Sequence, residues 1–287
     1  MAIELTIEKN DCIKCNKCAR VCPAAIFRPN SESKEIELFN IENCISCGHC
    51  AAVCPTQAVI HSEFPSSKVH PIDYTALPSA EQMINLIRAR RSNRAFSKSA
   101  IPNESLDLIV EAAYRAPTAS NKQEVKFLLI TDSQKLLELS RYTIGVFSSI
   151  VKKLDNPLGR AIIKPLMPEA FAYVPAFKKI ATEFDNGNDM IMRKATAALI
   201  IYTPKSSRFG IEDSNLAYQN ASLMAESLGV AQFYMGFVLS AIKQDRSNAL
   251  AKQLGIEGKI HAAMAMAMPT FRYENYIDKK AIDIKRL

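Results

Sequence analysis

Two copies of one cysteine motif stand near the start of the sequence, and they constrain the fold more than any other feature. The copies are CIKCNKCARVCPAAIF at residues 12–27 and CISCGHCAAVCPTQAV at 44–59. Each has three cysteines at C-x2-C-x2-C and a fourth three residues later, followed by proline. All eight cysteines of the chain lie in these copies. The repeat predicts a small domain of two pseudo-twofold halves, with short strands at 3–8 and 33–40 where polar and apolar residues alternate.

Three cysteines at this spacing surround one corner of a 4Fe-4S cube, while the fourth points away and binds the other cluster. We therefore predict two 4Fe-4S clusters, each completed by a cysteine from the opposite copy. The first cluster is predicted to be held by Cys12, Cys15, Cys18 and Cys54. The second is predicted to be held by Cys44, Cys47, Cys50 and Cys22. The pattern resembles bacterial two-cluster ferredoxins over residues 2–61.

The cysteine spacing leaves two alternatives to iron–sulfur clusters, which are zinc binding and disulfide formation. Zinc binds paired C-x2-C knuckles, usually with a long spacer between them, whereas here three cysteines run consecutively. Disulfide frameworks are typical of short secreted chains, and nothing in the sequence indicates secretion. His49 lies inside the second motif, where we expect a hydrogen-bonding or exposed residue and no ligand.

Composition narrows the class of protein. The 287 residues are 48% hydrophobic, enough for a substantial core, and the formal net charge is +7. No run approaches the roughly twenty apolar residues that span a bilayer, and the first residues do not resemble a signal peptide. We therefore expect a cytoplasmic protein with no membrane segment. Nucleic-acid binding is a weaker alternative, because the basic residues are spread out apart from a cluster at 88–94.

A connector separates the cysteine region from a longer domain. Residues 62–80 contain three prolines, several serines and no periodicity, which predicts an extended linker. Beyond it, helices are predicted at 81–90, 103–115 and 213–228, the last ending at Gly229. Strands are predicted at 126–130, 197–202, 230–235 and 262–268. The segment 143–190 is interpreted either as a lid or as a helical insertion.

Several motifs of this longer domain resemble the nitroreductase family of FMN enzymes. RRSNRAF at 90–96 matches that family's R-R-S-x-R-x-F pattern, and APTASNKQ at 116–123 matches A-P-S-x-x-N-x-Q, with Thr118 in place of serine. DSNLAYQNASLMAESLGV at 213–230 is similar to the family's central helix, and YMGF follows at 234–237. In AMPTFRYEN near the C-terminus, Arg272 takes the place of a lysine and Asn275 that of a basic residue. The resemblance covers about residues 81–273.

The resemblance implies an FMN site with a division of roles. Arg90, Ser92 and Arg272 would bind the phosphate, since guanidinium groups suit its oxygens. Asn121 and Gln123 would read the edge of the flavin ring, and the backbone amide of Gly236 would point at the flavin N5. The full set of implied FMN-binding residues is Arg90, Arg91, Ser92, Arg94, Asn121, Gln123, Gly236 and Arg272. No side chain is identified as a catalytic acid.

The predicted fold class is α+β. It comprises a two-cluster ferredoxin-like domain (1–61), a linker (62–80) and a nitroreductase-like FMN domain (81–287). We expect a homodimeric oxidoreductase that passes electrons from the clusters to FMN and then to a small nitro, quinone-like or activated unsaturated compound. A low-potential protein such as ferredoxin is the expected donor. The alternatives are an electron-transfer module serving a partner protein, and a regulator that binds FMN without turnover.

Overall fold

The computed structural model describes residues 3–166 and 168–287. The chain divides into two compact units. The first comprises Met1–Pro78 together with Ala119–Lys122, and the second comprises Ser79–Thr118 and Gln123–Leu287. Each unit has its own hydrophobic core.

The first unit consists of very short strands and helices around the cysteine motifs. In chain order they are β1 (Leu5–Ile7), α1 (Lys17–Val21), β2 (Phe27–Pro29), β3 (Ile36–Leu38), α2 (His49–Val53) and β4 (Val59–His61). β1 pairs antiparallel with β4, and β2 pairs antiparallel with β3. The strands predicted at 3–8 and 33–40 are therefore confirmed, in shorter form. Leu5, Ile26, Phe27 and Val59 form the centre of the small core, with Cys50 among them.

The backbone repeats together with the sequence. Corresponding residues of the two copies are 32 positions apart, as Cys12 and Cys44 are. Three pairs at this offset share a left-handed backbone conformation, which residues other than glycine seldom adopt. They are Lys14 (φ 55°) with Ser46 (φ 49°), Asn16 (φ 59°) with Gly48 (φ 71°), and Ala25 (φ 52°) with Gln57 (φ 55°). The same turns thus bend both motifs around their cysteines.

The second unit alternates helices with strands of one antiparallel sheet. Its elements are α3 (Ala80–Ala89), α4 (Asn103–Tyr114), β5 (Lys126–Ile130), α5 (Ser133–Leu154), α6 (Pro157–Leu166), α7 (Pro168–Ala172), α8 (Val174–Asp185), β6 (Ala197–Thr203), α9 (Gly210–Ser227), β7 (Ala231–Tyr234), α10 (Gly236–Gln244), α11 (Ala249–Gln253) and β8 (Lys259–Ala267). The strand order is β5-β6-β8-β7. Neighbouring strands are antiparallel.

Both faces of this sheet are covered, so most residues of its central strands are apolar. Ala198 and Ile200 of β6 belong to one core cluster, and the alternate residues Leu199 and Ile201 belong to the other. In β8, Ala263 and Ala265 belong to the first cluster, whereas Met264 and Met266 belong to the second. The alternating alanines and methionines are therefore the packing residues of a buried strand.

The predicted elements of this unit are confirmed with small changes of boundary. A capping box begins α3, since the Ser79 hydroxyl accepts from the Gln82 backbone and the Gln82 side chain accepts from the Ser79 backbone. At the end of α9, Gly229 adopts φ +71°, and the Val230 amide donates to Ala225 O at 2.8 Å. This is a Schellman motif, which needs a left-handed residue at the glycine position.

The insertion at 143–190 is helical over most of its described residues. It comprises the second half of α5, then α6, α7 and α8. α5 and α8 pack side by side, with Phe147 stacked on Phe177 at a centroid distance of 4.0 Å. The interpretation as a helical insertion agrees with this arrangement.

Candidate cluster and flavin sites

The first candidate site is a small cavity in the first unit. Three of its cysteines come from the loop that leads into α1 and from α1 itself, and the fourth follows α2. Its cysteines are Cys12, Cys15, Cys18 and Cys54. This is the grouping predicted from the cysteine spacing, in which the fourth cysteine comes from the opposite copy of the motif.

A second cavity of the same size lies in the same unit and repeats the arrangement. Its cysteines are Cys22, Cys44, Cys47 and Cys50. Cys22 follows directly after α1, as Cys54 follows α2, so the ends of the two helices exchange their cysteines. Among the described residues, no three His, Cys, Asp or Glu side chains converge closely enough to hold a single metal ion. The thiols surround a larger volume instead.

The surroundings of the thiols suit an iron–sulfur cluster. Burial raises the pKa of the Cys50 thiol to about 11, and it also raises the pKa of Cys18. A cysteine binds iron as the thiolate, so this burial opposes loss of the proton until the metal binds. The backbone amide of Ile26 lies 3.5 Å from Cys22 Sγ, where it can donate to a thiolate. Apolar walls and backbone donors are the groups that surround a cluster in a protein.

Three of the arginines implied for FMN come together in the second unit. Partial burial raises the pKa of Glu226, near the end of α9, above its usual value. The backbone amide of Arg91 and the positive charges of Arg272, Arg90 and Arg91 act in the opposite direction on the same carboxyl group. Arg91 also donates to the carbonyl oxygens of Arg88 and Arg90, so its guanidinium supports the local backbone.

The backbone of the arginine motif is fixed by contacts far along the chain. Asn93 is buried, and its side chain donates to Phe271 O at 3.0 Å. The Thr270 amide donates to Ala95 O at 2.9 Å, and Phe96 forms a bridge with Pro269. These bonds hold residues 90–96 beside the segment that carries Arg272. The two ends of the nitroreductase-like region thereby contribute to one basic surface.

A separate open cavity of about 810 Å³ is lined by Arg94 and Gly236. The guanidinium of Arg94 lies over the ring of Phe233, 5.5 Å from its centroid, and donates to Ser92 O. Gly236 is the first residue of α10, and a side chain at this position would meet nothing within 4 Å. Arg193 also lines this cavity, although no motif in the sequence points to it. A cavity lined by these two arginines and by an open glycine position can accommodate a flat ring with anionic and polar edges.

Asn121 and Gln123 belong to different units. The structure groups Ala119–Lys122 with the first unit, where the Asn121 amide donates to Ser46 O at 2.7 Å and to Ile45 O at 3.2 Å. Gln123 is exposed and adopts φ +50°, and its backbone amide donates to the Thr118 hydroxyl. The structure thus brings Arg90, Arg91 and Arg272 together within the second unit, whereas it groups Asn121 with the first.

A polar chain near the arginine motif was missed by the sequence interpretation. The Tyr218 hydroxyl donates to Gln232 Oε1 at 3.0 Å, and Gln232 Nε2 donates to Ser222 and to Arg91 O. Burial raises the pKa of Tyr218 to about 12, so this phenol keeps its proton at neutral pH. The only sequence signal was Gln232 within the apolar strand VAQFYM. The chain anchors the backbone of Arg91 to the sheet.

Comparison with known proteins identifies the class. The profile of the nitroreductase family matches residues 87–268, more than half of the chain, and the profile of the 4Fe-4S dicluster domain matches residues 11–58. The chain belongs to the nitroreductase family and carries an N-terminal domain of the kind that holds two 4Fe-4S clusters. It is an oxidoreductase of that family. The predicted recognition and fold class are confirmed.

Individual relatives are distant. An FMN-bound nitroreductase from Bacteroides fragilis superimposes with a TM-score of 0.52 at 21% identity, over 71% of this chain and 99% of its own. An FMN-bound nitroreductase from Desulfitobacterium hafniense gives 0.53 at 16% identity, over 70% and 97%. A protein of Archaeoglobus fulgidus, provisionally named NADH dehydrogenase/NAD(P)H nitroreductase, is 24% identical over 63% of this chain and 80% of its own. The predicted cofactors agree with the dicluster match and with the FMN in these solved structures.

Within residues 3–166 and 168–287, no helix combines the length and the apolar character needed to cross a bilayer.

Proposed function

We propose that this chain is an FMN-dependent oxidoreductase that reduces a small organic acceptor and receives its electrons through its own 4Fe-4S domain. The acceptor class is a nitro, quinone-like or activated unsaturated compound, and the donor is a low-potential one-electron protein such as ferredoxin. When bound, the clusters supply single-electron transfer and FMN supplies two-electron reduction. The observation that carries this proposal is the presence, in one chain, of two cysteine-lined cavities and a nitroreductase-family domain with converging arginines.

The arginines are assigned to the phosphate of FMN. Arg272 lies against Gly229 just after α9, and Arg90 and Arg272 both act on the half-buried carboxyl group of Glu226 in the last turn of that helix, which supports a location close to one another. With the Ser92 hydroxyl they form a donor set suited to a dianion. Arg91 is assigned to the same site as a further source of positive charge that does not touch the phosphate, because its guanidinium already donates to backbone carbonyls.

The remaining residues are assigned to the flavin ring. The backbone amide of Gly236, at the start of α10, is a donor at the wall of the open cavity, and Arg94 lies on the same wall. Gln123 offers an exposed amide for the ring edge. Because the Asn121 amide nitrogen already donates to the carbonyl oxygens of Ser46 and Ile45, its acceptor oxygen is the atom that we propose for the flavin. The cysteines of the two cavities are assigned as the cluster ligands.

We also propose a homodimer, as the family resemblance implies. Phe209, Ile211 and Leu216, at the start and first turns of α9, remain exposed in the single chain. Apolar residues on one helix are an ordinary component of subunit interfaces.

Turnover of the full chain under anaerobic conditions tests the proposed function. Reduced ferredoxin, NADH and dithionite would each be supplied with a panel of nitro compounds, quinones and activated alkenes. A variant with Cys18→Ser and Cys50→Ser would serve as the cluster-deficient comparison. We expect turnover with ferredoxin, little with NADH, and loss of the ferredoxin rate but retention of the dithionite rate in the variant.

Two results would contradict the proposal. Equal rates with NADH and ferredoxin would remove the need for the clusters as the entry point. Reduction of bound FMN without turnover of any acceptor would favour an electron-transfer module or a regulator instead.

A further inference from the structure

His61 gives the second cysteine cavity a feature that the first cavity lacks. It is the last residue of β4, it is 2% exposed, and its Nε2 atom lies 3.5 Å from Cys44 Sγ. By the 32-residue offset of the repeat, the corresponding residue of the first half is Pro29, at the end of β2. Pro29 is exposed and has no side-chain donor. The duplication is therefore unequal at this position.

The tautomer of His61 follows from its other ring nitrogen. The backbone amide of Glu63 donates to His61 Nδ1 at 3.1 Å, so Nδ1 is an acceptor and carries no proton. The proton of the neutral ring must then be on Nε2, because a neutral imidazole has one donor and one acceptor. Nε2 is the atom that faces Cys44 Sγ.

Phe64 holds the imidazole in this position. Its ring lies 4.9 Å from the His61 ring at an interplanar angle of 60°, and the two residues form a backbone bridge. The same phenyl ring packs on Gly48, where a Cβ would lie 3.2 Å from it. Phe64 therefore covers the second motif while it orients His61. The corresponding residue of the first half is Glu32, which is exposed.

We propose that His61 donates a hydrogen bond from Nε2 to Cys44 Sγ and thereby raises the reduction potential of the cluster held by Cys44, Cys47, Cys50 and Cys22. One-electron reduction adds negative charge that is shared with the cysteine sulfurs, and a donor stabilises the more negative state more strongly. No bond forms or breaks, and the proton stays on Nε2. His61 is thus a positioning and tuning residue, and its role depends on the cluster but not on the identity of the acceptor or donor.

The other cavity contains a weaker side-chain donor that provides a matched control. The Thr56 hydroxyl lies 3.7 Å from Cys54 Sγ, and Thr56 is exposed to water. The corresponding residue of the first half is Ala24. Cys54 lines the first cavity, so removal of the Thr56 hydroxyl acts on the first cluster and not on the cluster beside His61. An exposed donor is replaced by water when it is removed, whereas a buried donor is not.

The test is a redox titration of the full chain with both clusters loaded, with dithionite as reductant and electron paramagnetic resonance as readout. His61→Leu removes the donor, and His61→Gln keeps an amide donor near the position of Nε2. For His61→Leu we expect the reduced-to-oxidised ratio of one cluster to fall about tenfold at a fixed potential, which is about 59 mV for a one-electron couple. His61→Gln should recover most of this shift. Thr56→Val should leave the potential of the cluster beside His61 unchanged. Equal potentials in the wild-type protein and His61→Leu would overturn the proposal.

A second measurement applies even if His61→Leu does not assemble its cluster. The wild-type protein and His61→Gln would be prepared with ¹⁵N-labelled histidine and reduced by one electron per cluster. Pulsed electron paramagnetic resonance should detect a nitrogen coupling in the wild-type protein that is absent from His61→Gln, while His49 contributes equally to both. Identical nitrogen couplings in the two proteins would show that His61 does not bond to the cluster ligand.

Discussion

The guanidinium of Arg272 lies on Gly229, so that its Nη2 atom takes the space of a methyl group at that glycine. Gly229 also adopts φ +71° at the end of α9. The glycine therefore serves both the turn of the backbone and the position of an arginine assigned to the FMN phosphate.

Gly229→Ala should separate these two effects when it is compared with Gly255→Ala. Gly255 ends α11 in the same type of turn at φ +66°, but a Cβ at Gly255 would have no neighbouring atom within 4 Å. Both variants should lose about 1–2 kcal/mol of stability to backbone strain. Only Gly229→Ala should also displace Arg272 and weaken FMN binding. Denaturant unfolding and FMN titration check the two effects, and equal FMN affinity in both variants would contradict the assignment of Arg272.

Direct removal of the phosphate contacts should weaken FMN retention. Arg90→Ala or Arg272→Ala removes a charge-assisted hydrogen bond, which contributes about 1.5–3 kcal/mol, or tenfold or more in affinity. Equilibrium dialysis followed by flavin absorbance measures the loss. Arg115→Ala is the control, because Arg115 forms an exposed ion pair with Glu111 on α4. Full FMN occupancy in the double variant would show that the phosphate lies elsewhere.

The cysteine cavities predict the metal content. Anaerobically prepared protein should contain about eight irons and eight acid-labile sulfides per chain, because each 4Fe-4S cluster contributes four of each. Elemental analysis and sulfide assay provide the numbers. A stoichiometric content of zinc, without visible charge-transfer absorption, would rule out the clusters.

The exchange of the fourth cysteines predicts a result that a separate site in each half would not give. Cys22 lines the cavity of Cys44, Cys47 and Cys50. Cys22→Ser should therefore damage the second cluster, whereas Cys18→Ser should damage the first. The two variants should leave different resonance signals of the reduced protein. If both variants lose the same signal, Cys22 binds within its own motif.

The proposed homodimer is tested by the mass of the protein and by a substitution on α9. Light scattering of the FMN-loaded protein should return twice the chain mass of 31.8 kDa. Leu216→Glu should shift the protein toward the monomer, because Leu216 is exposed on α9. Leu158→Glu, at an exposed residue of α6, is the matched control. A mass of one chain for the unmodified protein would refute the dimer.

The sequence predicted the elements of the second unit where short-range patterns were strong. β5 matches its predicted residues, and β6 and α4 differ by a single residue, because apolar runs and helical periodicity identify buried segments. β2 and β4 were not predicted, because β2 contains Pro29 and β4 has two adjacent apolar residues, whereas the equally short β1 and β3 lie in alternating segments. The first half of α5 was also missed, although its buried Leu136, Leu139 and Thr143 follow helical spacing.

The candidate sites were predictable where the ligands share a motif. The spacing predicts the cysteine quartets, and the two cavities group the cysteines in the same way, while their role as cluster ligands stays a prediction. By contrast, Glu226 and Tyr218 approach the arginine motif only through folding of the whole second unit, and no local pattern links them to it. The hydrogen bonds from Asn121 to Ser46 and Ile45 join residues 75 and 76 positions apart, and a sequence motif contains no information on such a contact.

The exchange of cysteines between α1 and α2 also has a consequence for the history of the first unit. Each cavity draws three thiols from one copy of the repeat and one from the other. Neither copy by itself supplies four thiols to one of these cavities, so an ancestral single copy would have needed a second molecule to complete its site. Loss of Cys22 or Cys54 from one copy removes a thiol from the cavity that the other copy lines, so a change in either copy affects both cavities.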